Sequence, residues 1–142
     1  MQLQPNGVCL VTGASSGIGR AIAESLLKRG MRVYGTSRHP AAETENGIHM
    51  LPLDLSDAAS VSAAIDELFR REGRIDLLVN NAGAGIGGAV EDASPEDLRR
   101  QLDVAFFGHV LVTRAVLPRM RASGGGRILF TGSVAAGIPI PY

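Results

Sequence analysis

Cysteine is almost missing from this sequence. Cys9 is the only one in 142 residues, so no internal disulfide can form, and its place in an apolar run marks it as core. Neither sign of charge is in excess, with 14 basic and 14 acidic residues. No basic stripe points to nucleic acid, and no like-charge block points to a solvated tail. Long apolar runs are missing too. Val8 to Val11 and Val110 to Val112 fall far short of the ~18 apolar residues of a membrane span, and no charged-then-apolar leader precedes the first run. These absences set aside disulfide scaffolds, nucleic-acid binders and membrane spans, and a cytoplasmic location is expected. Metal ligands are not clustered. What is present is a chain with 45% hydrophobic and 20% charged residues, ordinary for one soluble domain over residues 1–142. Such a length buries roughly two-thirds of its unfolded surface.

Two hydrophobic periods alternate along the chain. Gly7 to Thr12 (GVCLVT) is a short apolar run ending at glycines, as a buried strand does. Ile18, Ile22 and Leu26 then recur four apart, one stripe of a helix that stops at Gly30. Met31 to Ser37 reads as a second strand and Gly47 to Asp54 as a third. Ser56 or Asp57 can cap a helix with stripe Val61, Ile65, Leu68 and Phe69 that ends near Gly73. Arg74 to Asn80 reads as a fourth strand. Ser94-Pro95-Glu96-Asp97 is a strong helix start, with a serine cap, proline first and acid in the first turn. That helix is predicted to run to about Arg121, with Pro118 disturbing its last turns. Arg127 to Gly132 reads as a fifth strand. Strands separated by helices imply parallel pairing through right-handed crossovers, hence a doubly wound α/β sheet with helices on both faces. Ligands of such sheets bind beyond the carboxyl ends of the strands.

Four patterns lie in those strand-end loops. In TGASSGIGR, Thr12 to Arg20, Gly13, Gly17 and Gly19 stand as G-x-x-x-G-x-G just before a helix. Glycines let backbone N–H groups approach a pyrophosphate, and the helix N-terminus adds partial positive charge. The same stretch contains G-x-S-x-G, Gly13 to Gly17, the nucleophile elbow of α/β-hydrolases. No HGGG-type stretch accompanies it, no earlier strand supplies a second oxyanion donor, and His39, His49 and His109 follow no acid-then-histidine order, so a serine hydrolase is the remote reading. Gly83, Gly85 and Gly88 satisfy G-x-G-x-x-G, but the next helix cap comes only at Ser94, so the phosphate rationale fails there. Val79 to Gly83 (VNNAG) closes the fourth strand with asparagines able to tie neighbouring loops through both amide ends.

Taken together, TGASSGIG, LDLSD, NNAG, the Leu117-Pro118-x-Met120 stretch and GRILFTGSVAAG resemble a short-chain dehydrogenase/reductase, in order and spacing, from about residue 7 to 142. The resemblance implies an NAD- or NADP-dependent oxidoreductase acting on an alcohol or ketone. It implies that Gly13, Ser15, Ser16, Gly17, Ile18 and Gly19 surround the pyrophosphate and adenosine phosphate, that Asp54 and Leu55 meet the adenine, and that Asn81, Ala82 and Gly83 meet the adenine ribose. NAD binders place an acid near the end of the second strand; here Ser37 and Arg38 stand there. A carboxylate repels a 2′-phosphate, whereas a guanidinium grips it through two hydrogen bonds, so NADP(H) is expected over NAD(H).

Against the family pattern, Ala105 in VAFFG takes the place of a catalytic asparagine, which leaves the proton relay short of one water anchor. Ser133 matches the family's serine, whose hydroxyl hydrogen-bonds the substrate oxygen as charge develops on it. The family's Y-x-x-x-K motif lies further along than Tyr142, and Lys28, the only lysine, is on the first helix. A phenol with a pKa near 10 needs nearby positive charge to carry protons at neutral pH. Tyr142 is therefore expected to be a substrate-loop aromatic, and residues 1–142 alone to turn over very slowly or not at all. A noncatalytic dinucleotide-binding or interaction protein is the rival reading. The resemblance also implies a further helix and two strands beyond the fifth strand, which would otherwise be an open edge. The breadth of apolar residues on the long helix, including Phe106, Phe107, Val110 and Leu111, predicts burial on two sides and a homo-oligomer through residues 95–121. The apolar loop from Ile138 to Tyr142 points to a lipophilic substrate.

Overall fold

The computed structural model describes residues 4–83, 85–134 and 137. Strand β1 (Val8–Val11) leads through the glycine turn into helix α1 (Gly17–Lys28), and β2 (Arg32–Ser37) follows. A two-residue strand β3 (Thr44–Glu45) folds back on β4 (Ile48–Pro52) as an antiparallel edge that the sequence pattern did not foretell. Helix α2 (Ala58–Glu72) and β5 (Leu77–Asn80) come next, then α3 (Pro95–Leu102), α4 (His109–Ala122) and β6 (Arg127–Phe130). The sheet order is β3-β4-β2-β1-β5-β6, and every pairing except β3 with β4 is parallel. The order reverses at β1, whose neighbours β2 and β5 lead away in opposite directions, and open α/β sheets bind ligands at such a switch point.

Both faces of the sheet are covered, which explains why its central strands show no polar alternation. Along β1, Cys9 and Val11 pack with Ala23 and Leu26 of α1, while Val8 and Leu10 pack with Ile65 and Leu68 of α2 and Val112 and Val116 of α4. Successive side chains point to opposite faces, so all four positions must be apolar. Burial pushes the Cys9 thiol up to about 12, and it stays protonated in the core. Asp57, not Ser56, caps α2, its carboxylate accepting from the Ala59 N–H at 2.9 Å, and Gly73 ends the helix in the left-handed conformation.

The long helix runs unbroken from Pro95 to Ala122, but it is not α-helical throughout. Ser94 caps it as expected, accepting from the Asp97 N–H at 3.1 Å. Between α3 and α4, however, Asp103–Gly108 forms a widened π-helical segment. There Gly108 lies against α2's approach segment, where a Cβ would come within 2.5 Å of Leu55 Cβ and 2.7 Å of its carbonyl oxygen. The helix can sit that close only without a side chain at that position. Pro118 does not end α4, which continues to Ala122. No helix among the described residues is long and apolar enough to cross a membrane.

Candidate dinucleotide site and family

Thr12, at the end of β1, gathers the strand-end loops. Its hydroxyl oxygen accepts from the Asn81 N–H at 2.9 Å and the Ala82 N–H at 3.0 Å, and its carbonyl accepts from Asn81 Nδ2 at 3.1 Å. From the other side the Thr36 hydroxyl accepts from the Gly13 N–H at 3.3 Å, and the Thr36 carbonyl from the Ala14 N–H at 3.0 Å. The ends of β1, β2 and β5 are thus fastened to one another before any ligand arrives. The loop-tying role foreseen for the asparagines belongs to Asn81. Thr12 and Thr36 were missed, although a threonine at the last buried position of a strand is a visible signal.

The glycines divide by environment. A Cβ at Gly13 would lie 2.8 Å from Ala82 Cα, and one at Gly19 would lie 2.2 Å from the Gly13 carbonyl oxygen and 2.4 Å from Asn81 Nδ2. Those two glycines close-pack the turn against the NNAG loop and against itself. Gly17 differs: its φ is +55° and nothing lies within 4 Å of where its Cβ would be. Open space at the first residue of α1, beside packed glycines, is what an approaching phosphate requires. Ser16 stands at the N-cap with no side-chain hydrogen bond to the helix, so the first-turn N–H groups are not consumed by a cap. Ser15, Ser16 and Ile18 are exposed around this opening. The donor set, backbone N–H groups and hydroxyls on a helix start, suits a diphosphate.

At the ends of β2 and β4 stand Ser37, Arg38 and Asp54. Arg38 is exposed and Ser37 half-buried. The Asp54 carboxylate accepts from the Ser56 hydroxyl at 2.6 Å and the Ser56 N–H at 2.9 Å, and these bonds hold its pKa below the usual carboxylate range, with smaller help from the charges of Arg38 and His39. Asp54 therefore stays ionised, a fixed acceptor. Asp54 is half-buried, whereas the Leu55 side chain is buried in the core. Gly83 is exposed at the far side of the opening. The Gly83–Gly88 stretch starts no helix among its described residues, and the next regular turn is Val90–Asp92.

Ser133 is exposed just past β6, and Ala105 is exposed within the widened segment. Ile138 and Tyr142 lie outside the described residues. Tyr34, the other tyrosine, is no acid–base substitute. It is buried, donates to Glu72 Oε1 at 2.9 Å, and is pushed up to about 12 by burial and by that carboxylate.

A parallel sheet with a switch point at β1, and a glycine turn opening onto a helix start at that point, define a dinucleotide-binding α/β protein of the Rossmann type. The chain belongs to the short-chain dehydrogenase family, whose model matches residues 7–142. It is 43% identical over 140 residues to the 3-ketodihydrosphingosine reductase of Bacteroides thetaiotaomicron, covering 99% of this chain and 51% of that protein. Among solved structures it resembles the Thermoplasma acidophilum aldohexose dehydrogenase (37% identity, TM-score 0.89, 96% of this chain and 52% of that one). It also resembles the Brucella melitensis 3-ketoacyl-(acyl-carrier-protein) reductase complexed with NADH (33%, TM-score 0.88, 96% and 61%). The chain spans about half the length of the curated relatives it matches.

Proposed function

We propose that this chain is the nucleotide-binding portion of an NADP(H)-dependent oxidoreductase that interconverts a ketone and a secondary alcohol. The observation that carries the reading is the turn from Gly13 to Gly19, close-packed at its ends and open at Gly17. Bound there, the reduced cofactor supplies a hydride to a carbonyl carbon. The chain's own residues do the holding. First-turn N–H groups of α1 with Ser15 and Ser16 bind the diphosphate, Asp54 accepts from the adenine amino group, and Asn81 to Gly83 border the adenine ribose. Ser133 donates a hydrogen bond to the substrate oxygen as negative charge grows there.

Arg38 and Ser37 favour NADP(H), because a strand-end cation attracts a 2′-phosphate and no acid from β2 opposes it. A structural neighbour holds NADH, so the preference for NADP(H) rests on this chain's own Ser37 and Arg38. In a fluorescence titration NADPH should bind at least about tenfold more tightly than NADH, ~1.4 kcal/mol, and Arg38→Ala should remove most of that difference. Equal affinities in the unsubstituted chain contradict the preference. The relative named for reducing 3-ketodihydrosphingosine supports ketone reduction and a lipophilic substrate. Exposed Leu102, Phe106 and Phe107 support a homo-oligomer through residues 95–121.

One observation favours a second reading, a dinucleotide-binding protein without turnover: Ala105 stands where the family resemblance places an asparagine. A ketone panel assayed with NADPH, on this chain and on one extended through a Y-x-x-x-K motif, separates the two. Turnover only in the extended chain supports the reductase; binding without turnover in both supports the second reading.

A further inference from the structure

Two buried acceptor atoms near the carboxyl end of the sheet have no protein hydrogen-bond partner among the described residues, Asn80 Oδ1 and His109 Nε2. Asn80 is fully buried and His109 only 8% exposed, so bulk solvent does not reach either. A buried lone pair without a donor is destabilising by the hydration it has lost, and native proteins leave few such groups unanswered.

Connectivity puts both atoms in one small region. Asn80 Nδ2 donates to Thr113 Oγ1 at 3.1 Å, and Thr113 is one turn along α4 from His109. The backbone of Ala82, two residues beyond Asn80, lies against the His109 imidazole and favours its charged form. Phe130, opposite Asn80 in the β5–β6 register, has its ring 6.3 Å from that imidazole. A backbone group that favours the charged ring is an acceptor, the carbonyl, so the ring nitrogen facing it carries the proton. Since Nε2 is the one left over, that nitrogen is Nδ1. In the neutral ring Nε2 is then a bare acceptor. Burial holds the ring neutral by lowering its pKa.

Two buried, unanswered lone pairs on neighbouring side chains match a molecule with two donors. We infer that Asn80 and His109 together hold a buried water that gives one hydrogen to Asn80 Oδ1 and the other to His109 Nε2. The water is a structural ligand of the fold. It fastens the first turn of α4 to the end of β5, directly before the Asn81–Ala82 loop that Thr12 clamps. His109 and Asn80 act as positioning residues for that loop, and the inference stands whether or not the chain binds a nucleotide.

The test uses the unsubstituted chain, so it does not depend on a variant folding. Long-range proton–nitrogen correlation spectra of the His109 ring are expected to show Nδ1 protonated and Nε2 unprotonated. A high-resolution crystal structure is expected to show a water within about 2.7–3.2 Å of both Asn80 Oδ1 and His109 Nε2. In His109→Phe, that water should disappear while Asn80 keeps Thr113. A dry region, a protonated Nε2, or a donor reaching in from another part of the protein overturns the inference. So does a reversed Asn80 amide that donates straight to His109 Nε2 while its oxygen accepts from Thr113.

Discussion

Thr12 holds two backbone N–H groups that have no other partner among the described residues, those of Asn81 and Ala82. Thr12→Val keeps the shape and removes the acceptor, leaving both donors unmet. The expected loss is about 2–6 kcal/mol in chemical denaturation, at ~1–3 kcal/mol per buried unsatisfied group, and Thr12→Ser should restore most of it. Glycine substitutions in the same turn should divide as the geometry does. Gly19→Ala drives a methyl into the Gly13 carbonyl and Asn81, and should lower NADPH affinity more than tenfold along with stability. Gly17→Ala meets no protein atom, so it should cost only about 1 kcal/mol of stability as backbone strain, while its methyl occupies the opening and should weaken NADPH binding. His109 sets a pH dependence. Its folded pKa lies below the ordinary value of about 6.5, so its contribution is complete above pH ~6.5 and declines as pH falls from there towards the folded pKa. Denaturation midpoints at pH 5 and pH 7.5 should therefore differ, and His109→Phe should flatten the difference. The glycines and the NNAG asparagines were legible because each has a fixed chemical reason at a fixed spacing. Thr12, Thr36 and His109 were not singled out, because their partners lie 23 to 70 residues away in sequence or across the sheet.

Elements were legible wherever periodicity and capping agreed. The first turn of α2 has Asp57, that of α3 has Ser94 with Pro95, and both helices begin there. Removing either cap by alanine should cost about 1 kcal/mol, read from thermal denaturation. The widened segment Asp103–Gly108 had no such signature. It lies where Gly108 closely meets Leu55, and that approach belongs to the packed structure. Gly108→Ala should overpack this contact and destabilise by about 1–3 kcal/mol, more than alanine at a typical glycine in a helix, where it stabilises. The short strand β3 was equally hidden, since two residues are too few for any period and the pairing that defines it is with His49 and Ile48.

For the molecule as a whole, the five parallel strands and their doubly wound arrangement followed from the alternation of periods alone. The breadth of the apolar surface on the long helix was read as burial on two sides. Val112, Val116 and Met120 are indeed buried against the sheet, but Phe106 and Phe107 are more than half exposed, as are Leu129 and Phe130 on the edge strand β6. An exposed apolar face and an open parallel edge should make residues 1–142 self-associate at micromolar concentration. Sedimentation should show this, and Phe106→Glu with Phe107→Glu should shift the species towards monomer if the helix carries the contact. The opening at Gly17 decides whether this turn holds a nucleotide. Nitrogen-15 amide spectra recorded during an NADPH titration test it most directly. The amides of Gly13 to Arg20 and of Asn81 to Gly83 should shift together and saturate; if those signals stay still up to millimolar nucleotide, or the shifts fall on another part of the chain, the assignment of this turn is wrong.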